Sequence, residues 1–168
     1  NVLIGRAMWY LASGYADYAE GETLYQAAVA VVPRALWPDK PVQAGSPDLV
    51  SAYTGMTFDE STSVGIGHVM EFYINFGTTG LLVGMGLLGI GVGLFDRAAG
   101  QALAAGDWQR FTFWYLPSLA FLHTNGSLVE LTSTMAAGFV TAYLVAQLLV
   151  PAILTQPAQA SAPRQASL

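Results

Sequence analysis

The sequence predicts an all-α integral membrane protein with about four transmembrane helices, the first of them truncated, and a long outer loop. Two observations predict this class. Only 10% of the 168 residues are charged while 54% are apolar, whereas a soluble domain needs about 25% charged residues. No charge occurs from Phe72 to Phe95, nor between Glu130 and Arg164. Uncharged apolar stretches of about 20 residues are long enough to cross the ~30 Å bilayer core.

The first part of the chain divides into a helix end and a polar loop. Residues 1–12 predict the end of a transmembrane helix. Residues 13–67 contain four prolines, seven acids and two bases, which is typical of a water-exposed loop, with a short helix expected from Glu22 to Val32. No basic region precedes the first apolar residues, so we expect no signal peptide and interpret the chain as the C-terminal piece of a longer polytopic bundle.

The rest of the chain predicts three spans. The expected segments are, in order, a transmembrane helix (68–95), a short loop (96–107), two transmembrane helices with an outer turn near 123–130 (108–154), and a disordered tail (155–168). Arg97 and Arg110 lie in or beside the short loop, and basic residues in short loops mark the cytoplasmic side. We therefore expect the short loop and the tail in the cytoplasm and the long loop outside.

Composition excludes several functions. The net charge of −5 leaves no basic surface for nucleic acid. Without cysteine the chain has no disulfide, thiolate metal ligand or cysteine nucleophile. Two histidines without a zinc-binding spacing make a metal site improbable, so we expect no metal and no cofactor.

A polar stripe runs along the start of the helix predicted over 68–95. At about 3.6 residues per turn, His68, Glu71, Asn75 and Thr79 share one face, which we expect to open into an outer cavity. An ionisable group at membrane depth is costly and is functional by default. Glu71 is therefore the first catalytic candidate and His68 the second. Asn75 is either a substrate ligand or an interhelical hydrogen-bonding residue.

Glycines line two opposite sides of the same helix, where other helices can approach closely. One set continues the polar stripe, and the other lies opposite it. The two sets are Gly86, Gly89 and Gly93, and Gly77, Gly80, Gly84 and Gly91.

The only two bases of the long loop lie on a stiff, proline-bracketed segment. Arg34 and Lys40 flank Trp37, and such a pair suits an anionic group such as a diphosphate. Arg6 is a third candidate for this anion, or a residue whose charge snorkels to the membrane surface. The alternative is that these cations are solvated and bind no anion. Further residues with weaker claims to the same cavity are Asp39, His123, Asn125 and Glu130.

Segment 33–41, Pro-Arg-Ala-Leu-Trp-Pro-Asp-Lys-Pro, resembles a segment of bacterial O-antigen (oligosaccharide repeat-unit) polymerases. The acidic and aromatic residues from Glu71 to Gly80 are similar to a helix entry in that family, and Arg34 and Gly45 match an Arg-x10-Gly spacing. The resemblance covers residues 33–93.

The resemblance implies a multi-pass glycosyltransferase of the bacterial inner membrane, with the long loop in the periplasm. The reaction would move a glycan from undecaprenyl diphosphate onto the next lipid-linked repeat unit. Glu71, or His68, would be the base, and Arg34, Lys40 and Arg6 would hold the diphosphate, with Trp37 and Asn75 as further substrate ligands. Implied partners are the lipid-linked oligosaccharide, membrane lipid, and a flippase and chain-length regulator of the same pathway.

Two other functions stay open. A glycan ligase or protein O-glycosylation ligase would use the same donor with a different acceptor. A transporter or a non-catalytic membrane protein is the other alternative, and transport is disfavoured because it predicts broken helices and internal repeats. The sequence shows no repeat, and its only breaker within a predicted span is Pro117.

Overall fold

The structure, a computed structural model, describes residues 2–32, 36–40, 46–58 and 64–149. Every regular element in these ranges is a helix, and the ranges contain no strand. The elements are α1 (Val2–Ala12), α2 (Glu22–Ala30), α3 (Ser46–Thr54), α4 (His68–Ala104), α5 (Trp108–Ser118), a 3-10 turn (Leu119–Leu122), α6 (Leu128–Leu144) and a π turn (Val145–Leu149). The predicted tail lies outside the described residues.

Two of the described helices are long and apolar enough to cross a membrane. They are α4, with 37 residues, and the segment Leu128–Gln147, with 20. At about 1.5 Å per residue α4 is about 55 Å long, which exceeds the ~30 Å bilayer core. By contrast, α1 and α5 have 11 residues each and reach only about 16 Å. The structure therefore has two candidate spans where the sequence predicts about four.

The membrane-length part of α4 presents its apolar side chains outward. Only 11% of its most apolar window is buried, and Leu82, Leu87 and Leu94 are each more than 60% exposed. A core helix of a soluble protein is mostly buried, so this exposed surface is suited to lipid or to another apolar helix.

The loop predicted over 96–107 is largely helical, because α4 continues to Ala104. The sequence interpretation ended the helix at the first charge, but charge ends the apolar span and does not end a helix. Alanine-rich sequence carries α4 onward until Gly106 adopts a positive φ of 71°. There the amides of Gly106 and Asp107 donate to the carbonyls of Leu103 and Ala102, which is the Schellman arrangement that closes helices.

A break in α4 at Phe76 and Gly77 was not predicted, and it removes the absence of broken helices as an argument against a transporter. Phe76 has φ −141° and ψ 22°, and Gly77 has φ 63° and ψ −150°, a backbone conformation open essentially to glycine alone. The first eight residues of α4, 68–75, therefore form a separate half-helix. The polar stripe ends at this break: Asn75 is buried, whereas Thr79 is exposed.

Two apolar clusters hold the short helices against the start of α4. In the first, α1 and α3 pack on α4 through Ala7, Val50 and Met70. In the second, α2 and α6 pack on α4 through Ala27, Phe72 and Leu131. Helices α2 and α3, which lie in the described part of the long loop, are thus packed against α4, and α3 was not predicted.

Farther along α4, aromatic rings bind it to the last two helices. Phe95 lies 5.6 Å from Trp114 and 5.7 Å from Phe121 between ring centroids, both edge to face, and 6.0 Å from Phe139 of α6. Such pairs stabilise by about 0.5–1.5 kcal/mol beyond their buried area.

The two glycine-lined sides of α4 differ in how closely other atoms pack against them. A Cβ at Gly84 would overlap the Phe72 ring, and one at Gly80 would lie 2.7 Å from Phe76 Cβ, so this side is closely packed. No described atom lies within 4 Å of a Cβ placed on the other side, at Gly86, Gly89 and Gly93.

Candidate functional site

The half-helix 68–75 carries three buried polar side chains on one face. Glu71 is 0% exposed, Asn75 is 1% and His68 is 5%. The sequence predicted that these residues share a face, but it also predicted that the face opens into a cavity. Instead the face is buried: Gly21 and Thr23 are hydrogen-bonded to Asn75, Leu128 to Glu71, and the turn at 123–127 to Gly67, directly before His68. We call this buried set the polar seam.

Asn75 connects the polar seam to the start of α2. Its Oδ1 accepts from the Gly21 amide at 2.9 Å, and its Nδ2 donates to Thr23 Oγ1 at 2.7 Å and to the Glu71 carbonyl at 2.7 Å. The Ala19 amide donates to the Ile74 carbonyl at 2.9 Å. The break at Gly77 frees carbonyls at the end of the half-helix, and residues 19–23 supply donors to this region.

Glu71 connects the polar seam to α6. Its Oε2 accepts from the Leu128 amide at 2.6 Å, so the carboxylate caps the first turn of α6, where helix dipole and free amides favour an anion. The other oxygen, Oε1, is buried and has no hydrogen-bond partner among the described residues. The Thr23 hydroxyl lies close to this carboxylate, but it makes no hydrogen bond to Oε1.

The turn at 123–127 closes over the seam through backbone contacts. The Gly67 amide donates to the Asn125 carbonyl at 3.1 Å, and a Cβ at Gly65 would overlap that same carbonyl oxygen. Ser127 Oγ accepts from the Glu130 amide at 3.2 Å. Below the turn, His68 Nε2 is buried with no partner in the described part of the chain.

A polar cavity of about 390 Å³ adjoins this turn. It lies between the start of α3 and the start of α6, and Ser46, Asn125 and Glu130 supply its polar side chains. From the sequence, Asn125 and Glu130 were only minor candidates for the cavity expected beside Glu71. The structure places both on a cavity that Glu71 does not line.

Two of the three candidate cations have structural partners. Lys40 is buried, and its Nζ donates to the carbonyls of Ala30 and Val32 at 3.1 and 3.0 Å. Arg6 Nε donates to the Thr54 carbonyl at 2.7 Å. Each cation thus stabilises the C-terminal end of a helix, α2 or α3, where positive charge is favoured.

The remaining candidates are scattered. Trp37 is 38% exposed, and its carbonyl accepts from the Lys40 amide at 3.2 Å, so it lies in the turn that delivers Lys40 to α2. Asp39 and His123 are exposed. Arg34 and Gly45 lie outside the described residues.

Sequence reasoning missed Thr23, Ser46 and Ser127, which are all buried. Ser127 follows a turn and precedes an apolar run with Glu130 three positions later, a capping pattern that the sequence displays. Thr23 and Ser46 have no such signal, because their partners lie 52 and 84 residues away. In the described ranges no three His, Asp or Glu side chains are grouped as a metal site.

Comparison with known proteins does not assign the chain to a family. It matches no family model, no curated protein and no solved structure.

Proposed function

We propose that this chain is part of a bacterial inner-membrane glycosyltransferase that polymerises undecaprenyl-diphosphate-linked repeat units at the periplasmic face. One observation carries the proposal. Glu71 Oε1 and His68 Nε2, one helical turn apart, are buried without described hydrogen-bond partners at the polar end of two membrane-length helices. Buried polar groups are normally paired, and unpaired ones are more common at sites of chemistry. The resemblance over residues 33–93 supplies the reaction.

The reaction requires a base and a stabilised leaving group. The acceptor hydroxyl oxygen attacks the anomeric carbon of the donor sugar, the bond from that carbon to the diphosphate oxygen breaks, and the hydroxyl proton passes to a carboxylate. We assign the base to Glu71, with His68 as the second candidate. Both side chains are buried, so the acceptor reaches them only after a local opening, and we assign that opening to the turn at 123–127, which is hydrogen-bonded to Gly67 directly before His68.

We propose fewer cations for binding the diphosphate than the sequence suggested. Arg6 and Lys40 donate to backbone carbonyls, and release from these bonds would leave the carbonyls unpaired. Arg34 is therefore our main candidate for the diphosphate, since Arg can bind phosphate oxygens with two parallel hydrogen bonds. Trp37 lies three positions further along the same segment. Asn75, which is engaged with Gly21 and Thr23, is proposed to position the seam rather than to bind substrate.

The remaining parts of the proposal concern the assembly. We propose that α1 and α5 belong to transmembrane spans, so that this chain contributes about four helices to a larger polytopic bundle. Membrane lipid would cover the exposed side of α4. The flippase and the chain-length regulator of the same pathway are the proposed protein partners.

The test uses the complete gene that encodes this chain, in a strain that assembles a lipid-linked surface glycan. The variants are Glu71→Gln and Arg34→Ala. The matched control is Glu20→Gln, because Glu20 is an exposed acid of the long loop over residues 13–67. Gln keeps an oxygen that accepts from the Leu128 amide, so the cap of α6 is retained while the base is lost. The glycan ladder is compared at matched protein levels in the membrane.

Each outcome has a distinct meaning. Loss of the long ladder with single capped units retained, in both variants and not in Glu20→Gln, would support the polymerase. Polymer that accumulates on the lipid carrier without transfer to its final acceptor would favour the ligase instead. Unchanged ladders in Glu71→Gln and Arg34→Ala would refute the site and leave the glycosyltransferase without a residue to carry it.

A further inference from the structure

We infer that the polar cavity between α3 and α6 binds a neutral sugar ring of the acceptor glycan, with Glu130 as its main hydrogen-bond acceptor. The inference rests on the proposed function and names a substrate subsite within it. The cavity volume of about 390 Å³ falls in the lower part of the range of small-molecule sites, about 300–1,000 Å³.

The cavity lining is suited to hydroxyl groups. The Ser46 hydroxyl, whose one proton goes to Glu130, can still accept. The Asn125 amide carries two donors and an acceptor oxygen, and the Glu130 carboxylate is a strong acceptor. A sugar ring presents hydroxyls that need both donors and acceptors. These three side chains meet that need within one cavity.

The side chain of Glu130 is exposed, and one of its carboxylate oxygens is already hydrogen-bonded before any ligand arrives. Ser46 Oγ donates to Glu130 Oε1 at 3.2 Å. A Cβ on Gly126 would overlap Glu130 Oε2, so the glycine leaves the space that the carboxylate occupies. A preorganised acceptor loses little entropy on binding.

Charge separates this cavity from a diphosphate site. Among its described lining residues, none is Lys or Arg and one is the acid Glu130. A carboxylate repels phosphate and attracts hydroxyl donors. The cavity therefore suits the uncharged sugar end of a lipid-linked glycan, and the diphosphate must be bound elsewhere.

The position of the cavity fits an acceptor that approaches the polar seam. Gly65 lines the cavity three residues before His68, and Asn125 belongs to the turn that covers the seam. A sugar in the cavity would contact the same turn that must open to expose Glu71. Binding and exposure of the base would then be coupled through that turn.

The test measures binding directly. The complete protein is reconstituted in lipid nanodiscs, and the probe is the repeat-unit oligosaccharide of the host strain, released from its lipid carrier by mild acid. Equilibrium binding is compared for wild type, Glu130→Gln and Gly126→Ala, with Glu20→Gln and Gly86→Ala as matched controls. Gly126→Ala leaves the charge of Glu130 unchanged and only displaces its carboxylate.

We expect saturable binding to wild type and both controls, and binding weakened roughly tenfold or more in Glu130→Gln and Gly126→Ala, the effect of a hydrogen bond to a charged group. Equal affinity in all five proteins, or no binding to wild type, would overturn the inference. The glycan ladder of Glu71→Gln and Arg34→Ala is independent of this result. A lost ladder beside unaltered binding in Glu130→Gln would refute the sugar subsite alone, whereas unchanged ladders would refute the proposed function.

Discussion

The hydrogen bonds of Asn75 should control how firmly residues 19–23 are held against α4. Asn75→Ala removes the two bonds that join it to these residues, from the Gly21 amide and to Thr23 Oγ1; its third bond, to the Glu71 carbonyl, lies within α4. At about 1 kcal/mol net for each of the two bonds, the local free energy of opening should fall by about 2 kcal/mol. Because each 1.4 kcal/mol is tenfold, the opening equilibrium should rise roughly thirtyfold.

Hydrogen exchange measured by mass spectrometry tests this prediction on peptides that cover residues 17–24. Exchange at the amides of Ala19 and Gly21 should accelerate strongly in Asn75→Ala and remain unchanged in Thr79→Ala, which alters an exposed residue just beyond the break. If exchange in 17–24 is the same in Asn75→Ala and wild type, these bonds do not hold the loop and the account of the polar seam is wrong.

Three further perturbations test the break, the packed glycines and a partly buried phenol. Gly77→Ala places a side chain at φ 63°, ψ −150° and should lower the free energy of unfolding by about 1–3 kcal/mol, measured by chemical denaturation in detergent; an unchanged value would mean that α4 straightens without cost. Gly84→Ala should lower the melting temperature because its Cβ meets the Phe72 ring, whereas Gly86→Ala meets no described atom and should not; equal effects would contradict this packing. Burial raises the pKa of Tyr53 above its ordinary value of 10. The unfolded chain therefore loses this proton at a lower pH than the folded chain, and the free energy of unfolding should fall as pH rises above about 10. Chemical denaturation at several pH values should show a smaller fall for Tyr53→Phe than for wild type. The same fall in both proteins would mean that Tyr53 is solvated.

Local patterns predicted the helical class, α2 and the shared face of His68, Glu71 and Asn75. These features depend on composition and on residues three or four positions apart, which a sequence displays directly. The break at Gly77 is instead accompanied by hydrogen bonds between the half-helix and residues 19–23, which lie more than 50 positions away in the sequence. Glycine permits the break, but twelve other glycines occur from residue 65 to the end of the chain, and nothing local distinguishes this one.

The partners of the candidate cations also could not be predicted from the residues near them in the sequence. Lys40 and Arg6 were linked to an anion because cations near a membrane surface suit one. Their partners are backbone carbonyls at helix ends 10 and 48 residues away. One of those helices, α3, was itself not predicted, so its need for a cation at Thr54 was not visible either.

The break also changes how the burial of Glu71 should be interpreted. From the sequence, Glu71 was a charge at membrane depth, whose cost implied a function. In the structure it lies in a half-helix of about 12 Å that is covered by loop and turn residues, before the exposed apolar stretch of α4 begins. Its Oε2 is accounted for by the cap of α6, and only Oε1 is without a described partner. The functional interpretation therefore depends on that single oxygen, which is why Glu71→Gln, with the cap retained, separates the chemical role of this residue from its structural one.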